Sequence, residues 1–185
     1  MAVESSLVAL GSPAPDFSLP DLAGHVVGLT DFEDHSVLVV VFACNHCPYV
    51  QHIEHALGSM TSEFDDVAFV AICSNDSLAY PDDDVAHLHQ QADRAGWDFP
   101  YLVDDSQQVA REFGAVCTPD FFVYGVDRTL AYRGAFDAST PGNGEPLDGS
   151  LLRNALARVI SGQPIPEPHR PSLGCSIKWK PERNA

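Results

Sequence analysis

The sequence predicts an α/β fold: one domain on a central mixed β-sheet flanked by helices, with a β-hairpin extension at its N-terminal end. Three patterns predict it. Residues 36–43 (Ser-Val-Leu-Val-Val-Val-Phe-Ala) and 67–73 (Val-Ala-Phe-Val-Ala-Ile-Cys) are unbroken, largely β-branched runs, as expected of strands covered on both faces. Between them Val50, Ile53, Leu57 and Met60 recur at helical spacing, giving a strand–helix–strand unit with parallel strands and a right-handed crossover. Phe121–Tyr124 and Thr129–Arg133, joined by Gly125–Arg128, form a hairpin, which makes the sheet mixed.

The remaining elements follow in order. Ala14–Pro20 and His25–Leu29, around a turn at Leu22–Gly24, make the N-terminal hairpin, and Thr30–His35 is a polar connector. Pro81 and Asp82–Asp84 open a helix with acidic residues on its positive end; Val85, Leu88, Ala92 and Ala95 are its buried stripe and Gly96 ends it. Phe99–Val103 is a short strand whose proline suits a sheet edge, and Ser106–Phe113 is a helix stopped by Gly114. Residues 137–148, rich in Gly and Pro, are expected to be mobile, and Leu151–Ile160 is a last amphipathic helix. The domain is read as residues 1–162, with residues 163–185 a Pro-rich extended tail.

With 185 residues and 45% apolar content, the chain can bury one good core. No apolar run is long enough to span a bilayer, and no secretory signal precedes the first strand, so the cytoplasm is the expected address and a membrane is not an expected partner. Aspartate and glutamate number 26 against 10 lysines and arginines, a net charge of −16, which argues against nucleic acid and anionic membranes. The 18 aspartates and only two lysines suit either a high-salt cytosol, where screening removes self-repulsion, or an ordinary acidic protein. Both lysines, Lys178 and Lys180, flank Trp179, so the tail is expected to dock on the protein's own acidic surface.

Chemistry concentrates at Cys44-Asn45-His46-Cys47, where the first buried strand gives way to the first helix. Positions i and i+3 of a helix lie on one face, so two thiols so spaced can bridge. Free N–H groups and the positive end of the helix dipole stabilise a thiolate there. Cys44, at or before the first turn and nearer the exposed end, reads as the attacking thiolate. Cys47, one turn in and more buried, reads as the resolving thiol, and His46 supports the thiolate when protonated.

The Cys-x-x-Cys after a buried strand, Thr118-Pro119 before a hairpin and the final helix resemble the thioredoxin fold. Ala14-Pro15-Asp16-Phe17 and the insertion before Thr118-Pro119 are similar to its redoxin branch, and Phe42–Val50 with Gly174-Cys175-Ser176-Ile177-Lys178-Trp179 resembles a peroxiredoxin-like (AhpC/TSA-like) group. The resemblance covers nearly the whole chain. It implies that Pro119 is a cis-proline facing the cysteines and presenting the preceding backbone to an extended substrate peptide, that Cys44 is the nucleophile and that Cys47 resolves. Two positions depart from thioredoxin: Leu38 stands where a buried proton-relay aspartate is usual, and Ala43 where a tryptophan precedes the first cysteine. Asn45-His46 is similar to the dipeptides of comparatively oxidising disulfide isomerases and oxidases.

The reading is a thiol–disulfide oxidoreductase with no organic cofactor, acting on a disulfide-containing protein or small molecule and recycled by a thiol reductant. A peroxidase is the rival. Cys47-Pro48 matches the peroxiredoxin reactive cysteine, but Cys44 and Val40 stand where that family has a hydroxyl residue and a proline. A metal-binding or non-catalytic protein is a third reading, with Cys44, Cys47, His52 and His55 as ligands; a continuous helix sets His55 about 12 Å from the cysteines and turns His52 away, so no metal is expected. Cys73 reads as an inert core thiol. Cys117, two residues before Pro119, reads as a packed side chain that can lie near the site, and Cys175 as a surface thiol or, if the tail folds back, a second resolving thiol.

Overall fold

The structure is a computed structural model that describes residues 2–6 and 8–181; the last four residues of the predicted tail lie outside the described residues. Five strands form the central sheet: β4 (Val37–Phe42), β5 (Val67–Cys73), β6 (Tyr101–Val103), β8 (Asp120–Tyr124) and β9 (Leu130–Gly134), in the order β6-β5-β4-β8-β9. β5 runs parallel to β4 and β6, whereas β8 is antiparallel to β4 and β9. The mixed sheet and the edge position of β6 are as the sequence predicts.

β4 lies at the centre and all six of its residues are buried. Val37, Val39 and Val41 face one apolar layer, and Leu38, Val40 and Phe42 the other. The first layer is closed by α1 (Pro48–Thr61), through Val50, Ile53, Leu57 and Met60, by α2 (Val85–Ala95) and by α4 (Ser150–Ile160). The second is closed by α3 (Gln108–Phe113), through Val109, Ala110 and Phe113, and by Phe17, Leu19 and Phe32 of the N-terminal region. Each side chain so buried contributes about 1.5–3 kcal/mol relative to exposure. The predicted N-terminal hairpin is present as β2 (Ser18–Pro20) and β3 (Val26–Gly28), antiparallel to each other.

Four local findings differ from the sequence expectation. A 3-10 turn at Pro81–Asp83 precedes α2, and Asp84 is the N-cap, accepting the His87 N–H at 2.9 Å. Val85 is therefore exposed and Gln91 takes the buried position, its amide donating to the Cys44 carbonyl and to Glu54. The loop at 137–148 is tied at both ends by Asp137, whose carboxylate accepts the N–H groups of Ser139, Asp148 and Gly149. The tail is not merely extended. It returns as β10 (Leu173–Ser176), between β1 (Ala2–Glu4) and β7 (Cys117–Thr118) in a separate three-stranded sheet. Beyond β10, Lys180 pairs with Asp105 at 2.6 Å and the Arg111 guanidinium stacks on Trp179.

Asp120, at the start of β8, is buried, and neither carboxylate oxygen has a hydrogen-bond partner among the described residues. The nearby Ser172 hydroxyl donates instead to the Gly134 carbonyl at 2.6 Å. Burial pushes the Asp120 carboxyl up to about 8. The folded state therefore holds a proton that the unfolded chain releases near pH 4, and stability falls as pH rises towards the folded value, by about 1.4 kcal/mol per pH unit while the two states differ by a full proton. Asp120→Asn is expected to remove that decline. Urea midpoints of the two proteins should differ little at pH 4 and progressively more towards pH 8; parallel curves would show that the carboxyl is not protonated in the fold.

Candidate active site

The chain leaves β4 at Phe42, crosses the top of the sheet as Ala43–His46 and enters α1, for which Cys47 is the N-cap and Pro48 the first helical residue. Both thiols thus precede the helix body. Cys44 lies three residues before the cap, not on the first turn, and both Cys44 and Cys47 are fully buried, so neither is nearer the exposed end.

Thr118 and Pro119, joined by a cis peptide bond, face the two sulfurs. The Thr118 hydroxyl lies 3.4 Å from Cys44 Sγ, and Cys47 Sγ lies 3.1 Å from the Thr118 carbonyl oxygen. The sulfurs differ in acidity. Donation from the Cys44 thiol lowers Cys47 most, and the Thr118 hydroxyl and the N–H groups of Cys175 and Val50 add to it against the cost of burial, bringing Cys47 to about 5. The same contact with Cys47, then burial and the Asp83 carboxylate, raise Cys44. The Thr118 carbonyl beside Cys47 works in the opposite direction, since it favours a thiol. Cys47 is lowered while Cys44 is raised, so the first proton to leave the pair is drawn from Cys47. The electrostatics favour the first ionisation of the pair at Cys47, whereas spacing and resemblance point to Cys44 as the nucleophile.

The Asn45–His46 segment is pinned by a residue that the sequence reading passed over as a helix cap. Asp83, buried on the 3-10 turn, accepts the N–H groups of Asn45 (2.9 Å) and His46 (3.0 Å), the Asn75 amide (2.7 Å) and His46 Nδ1 (2.5 Å). The carboxylate raises His46, as expected of a supporting imidazole, while the His46 and Asn75 hydrogen bonds hold Asp83 low in spite of burial. The ring also stacks on Tyr80, 5.6 Å between centroids. Asn45 Nδ2 donates to the Asp82 carbonyl and its Oδ1 accepts from Arg94, which forks onto buried Glu54. Asn45 is thus a tether of the loop and does not touch the sulfurs.

Of the other thiols, Cys73 is buried and pushed up to about 12 by desolvation, an inert core residue as expected. Burial raises Cys117 still more strongly, and its sulfur lies 3.9 Å from the Pro119 carbonyl. Cys175 packs against the cluster that contains Cys44 and Cys47, so the tail does fold back over the site. The four ligands of the metal reading are not brought together: His52 Nε2 faces Ser139 Oγ at 3.0 Å instead. Among the described residues Cys44, His46 and Asp83 converge, with atoms within 4.8 Å of one another, but each already has partners: the Asp83 oxygens hold four donors and His46 Nδ1 is one of them. A cavity lies on the other flank of Pro119, lined by Tyr49, His52, Asp137, Ser139 and Arg170 among others; neither cysteine lines it. No helix among the described residues is long and apolar enough to cross a membrane.

A buried strand delivering two thiols to a helix cap opposite a cis-proline is the arrangement that a comparison with known proteins can test. Residues 10–136 match the AhpC/TSA family. The chain belongs to the AhpC/TSA family. An uncharacterised conserved protein from Geobacillus kaustophilus is 44% identical, with 98% of each chain covered and a TM-score of 0.95. A hypothetical protein from Sinorhizobium meliloti is 41% identical over 96% of this chain and 98% of its own, with a TM-score of 0.94. The peroxidoxin BcpB of Mycobacterium tuberculosis, 22% identical over 82% of this chain and 96% of its own, shares the thioredoxin-like fold at a TM-score of 0.62. No protein of curated function matches the sequence. Family membership and the thioredoxin-like fold of these neighbours make this a redoxin-type protein.

Proposed function

We propose that the protein is a thiol–disulfide oxidoreductase whose working pair is Cys44 and Cys47. The observation that carries this reading is the placement of two buried thiols at a strand–helix junction, both within hydrogen-bonding distance of Thr118 at its cis peptide bond to Pro119. Cys47, the stabilised thiolate, attacks a substrate disulfide and forms a mixed disulfide, releasing the first substrate thiolate. Cys44 then attacks the Cys47 sulfur, its proton leaves with the second substrate thiol, and a Cys44–Cys47 disulfide remains. An external thiol reductant restores the dithiol. Pro119 and Thr118 shape the face at which this occurs, and His46 with Asp83 holds the loop that carries Cys44 into the helix cap. No step calls for a metal or organic cofactor, and the expected site of action is the cytoplasm.

Peroxide reduction is the second reading, and one feature favours it. The hydroxyl that sequence comparison leaves missing at position 44 is supplied from across the site by Thr118, beside the thiolate of Cys47. The two readings separate in a stopped-flow comparison of the reduced protein with a small disulfide and with stoichiometric hydrogen peroxide. The oxidoreductase reading expects fast disulfide exchange, lost in Cys47→Ser, and peroxide oxidation no faster than that of a free small thiol. Peroxide oxidation hundreds of times faster than a free thiol, lost in Cys47→Ser, would make the protein a peroxidase.

A further inference from the structure

Both residues of the pair are fully buried, whereas a third cysteine packed beside them is partly exposed. β10 runs antiparallel along β7, with Cys175 opposite Thr118 and Ser176 opposite Cys117. It is held on its other edge by β1, where Ala2 faces Cys175. The approach to the site is unusually close: a Cβ at Gly174 would overlap the Thr118 carbonyl group and lie 3.2 Å from the Pro119 nitrogen. The chain beyond stays fastened, with the Ile177 N–H on the Val116 carbonyl (3.0 Å) and the Lys178 N–H on Asn75 Oδ1 (2.8 Å). This packs Cys175 against the cluster that holds Cys44 and Cys47.

We propose that β10 is a built-in substrate strand: it fills the edge beside Thr118 where an extended peptide would pair, and Cys175 is the thiol through which the buried pair exchanges with small external thiols. This rests on the dithiol reading above. In the oxidised protein the Cys175 thiolate attacks Cys47 Sγ. The Cys47–Cys175 bond forms, the Cys44–Cys47 bond breaks, and Cys44 leaves as a thiolate that takes up the proton Cys175 gave up; no electrons are gained or lost overall. An external thiol then attacks the Cys175 sulfur, and a second releases the mixed disulfide, so two external thiols leave as one disulfide and all three cysteines end as thiols. The electrostatics set the order of events. Burial, and then the Cys47 sulfur, keep Cys175 protonated in the reduced protein. Oxidation of Cys47 removes the second influence and leaves the first, which eases ionisation of Cys175 when there is a disulfide to attack.

The test is disulfide mapping on the full-length protein, by alkylation of free thiols and peptide mass spectrometry after one equivalent of a small disulfide, with glutathione as the reducing probe. The wild type is expected to contain both Cys44–Cys47 and Cys47–Cys175 links. Cys44→Ser should close an intramolecular Cys47–Cys175 link and remain monomeric on a non-reducing gel. Cys175→Ser and Cys175→Ala should form Cys44–Cys47 with full stoichiometry but be reduced by glutathione at least tenfold more slowly. Absence of any Cys47–Cys175 link in wild type and Cys44→Ser, or glutathione reduction of both Cys175 variants at the wild-type rate, would overturn the relay. If Cys44–Cys47 fails to form in the wild type and in the Cys175 variants alike, the dithiol reading itself fails, and the relay with it.

Discussion

Reduced protein titrated from pH 9 downwards should keep its thiolate absorbance well below neutrality, and Cys47→Ser should abolish that absorbance. An ordinary cysteine is only about 3% ionised at pH 7. Cys47, lowered to about 5 chiefly by its hydrogen bond with the Cys44 thiol, is expected to be almost wholly ionised there. Cys44→Ala, which removes the donor that a serine would keep, should move the transition upwards, and Thr118→Val should move it less. The sign for stability follows. A group whose folded pKa is depressed adds stability above its unfolded value, and that stability is lost as pH falls through the folded one. The reduced protein should therefore weaken between about pH 8 and 5, while the oxidised protein, which has no Cys47 thiolate, should not share that part of the loss. Stabilising the reduced form also makes the disulfide more oxidising, in line with the Asn45-His46 dipeptide between the cysteines. If the low transition survives in Cys47→Ser and vanishes in Cys44→Ser, Cys44 is the thiolate after all.

That assignment shows where sequence reading stops. The position of the pair was legible: the apolar run of β4 and the stripe Val50, Ile53, Leu57 and Met60 leave the cysteines nowhere but a strand–helix junction. Gly96 and Gly114 were legible as helix ends because each caps in the left-handed region that glycine adopts freely. Which thiol ionises was not, because beyond the contact between the two cysteines it depends on Thr118 and Cys175, far along the chain. β1 and β10 are three and four residues long, too short for a period to show, and they exist through pairing rather than pattern. Gln91 was hidden for a related reason: a buried amide leaves no apolar mark, and its place is set by Glu54, Tyr101 and the Cys44 carbonyl. Asp83 stood in a run of three aspartates whose members look alike until the Asn45–His46 loop folds onto one of them.

Replacement of Asp83 is expected to damage both the fold and the site. Asp83→Ala removes the acceptor for two backbone N–H groups, the Asn75 amide and His46 Nδ1 at once. Each buried donor left without a partner costs about 1–3 kcal/mol, partly relieved where water can enter, so a loss of roughly 3 kcal/mol in urea unfolding is expected. Asp83→Asn keeps the shape but turns an amide towards some of these donors, so it should recover only part of the loss. The charge effects are separable from the structural ones. Without the carboxylate that raises it, His46 should titrate lower, which proton NMR of the ring would report. Cys44 and Cys73, both raised in part by the Asp83 charge, should move down. The wild-type pair stabilises the fold between two limits. The contribution of the depressed Asp83 is lost as pH falls through its folded value, and that of the raised His46 is lost as pH rises through its own. In Asp83→Asn both edges of that window should flatten together. A variant that loses stability but keeps the wild-type His46 titration would show that Asp83 only braces the loop; a joint shift of His46 and of the thiolate transition would make it the residue through which the loop sets the charge of the site.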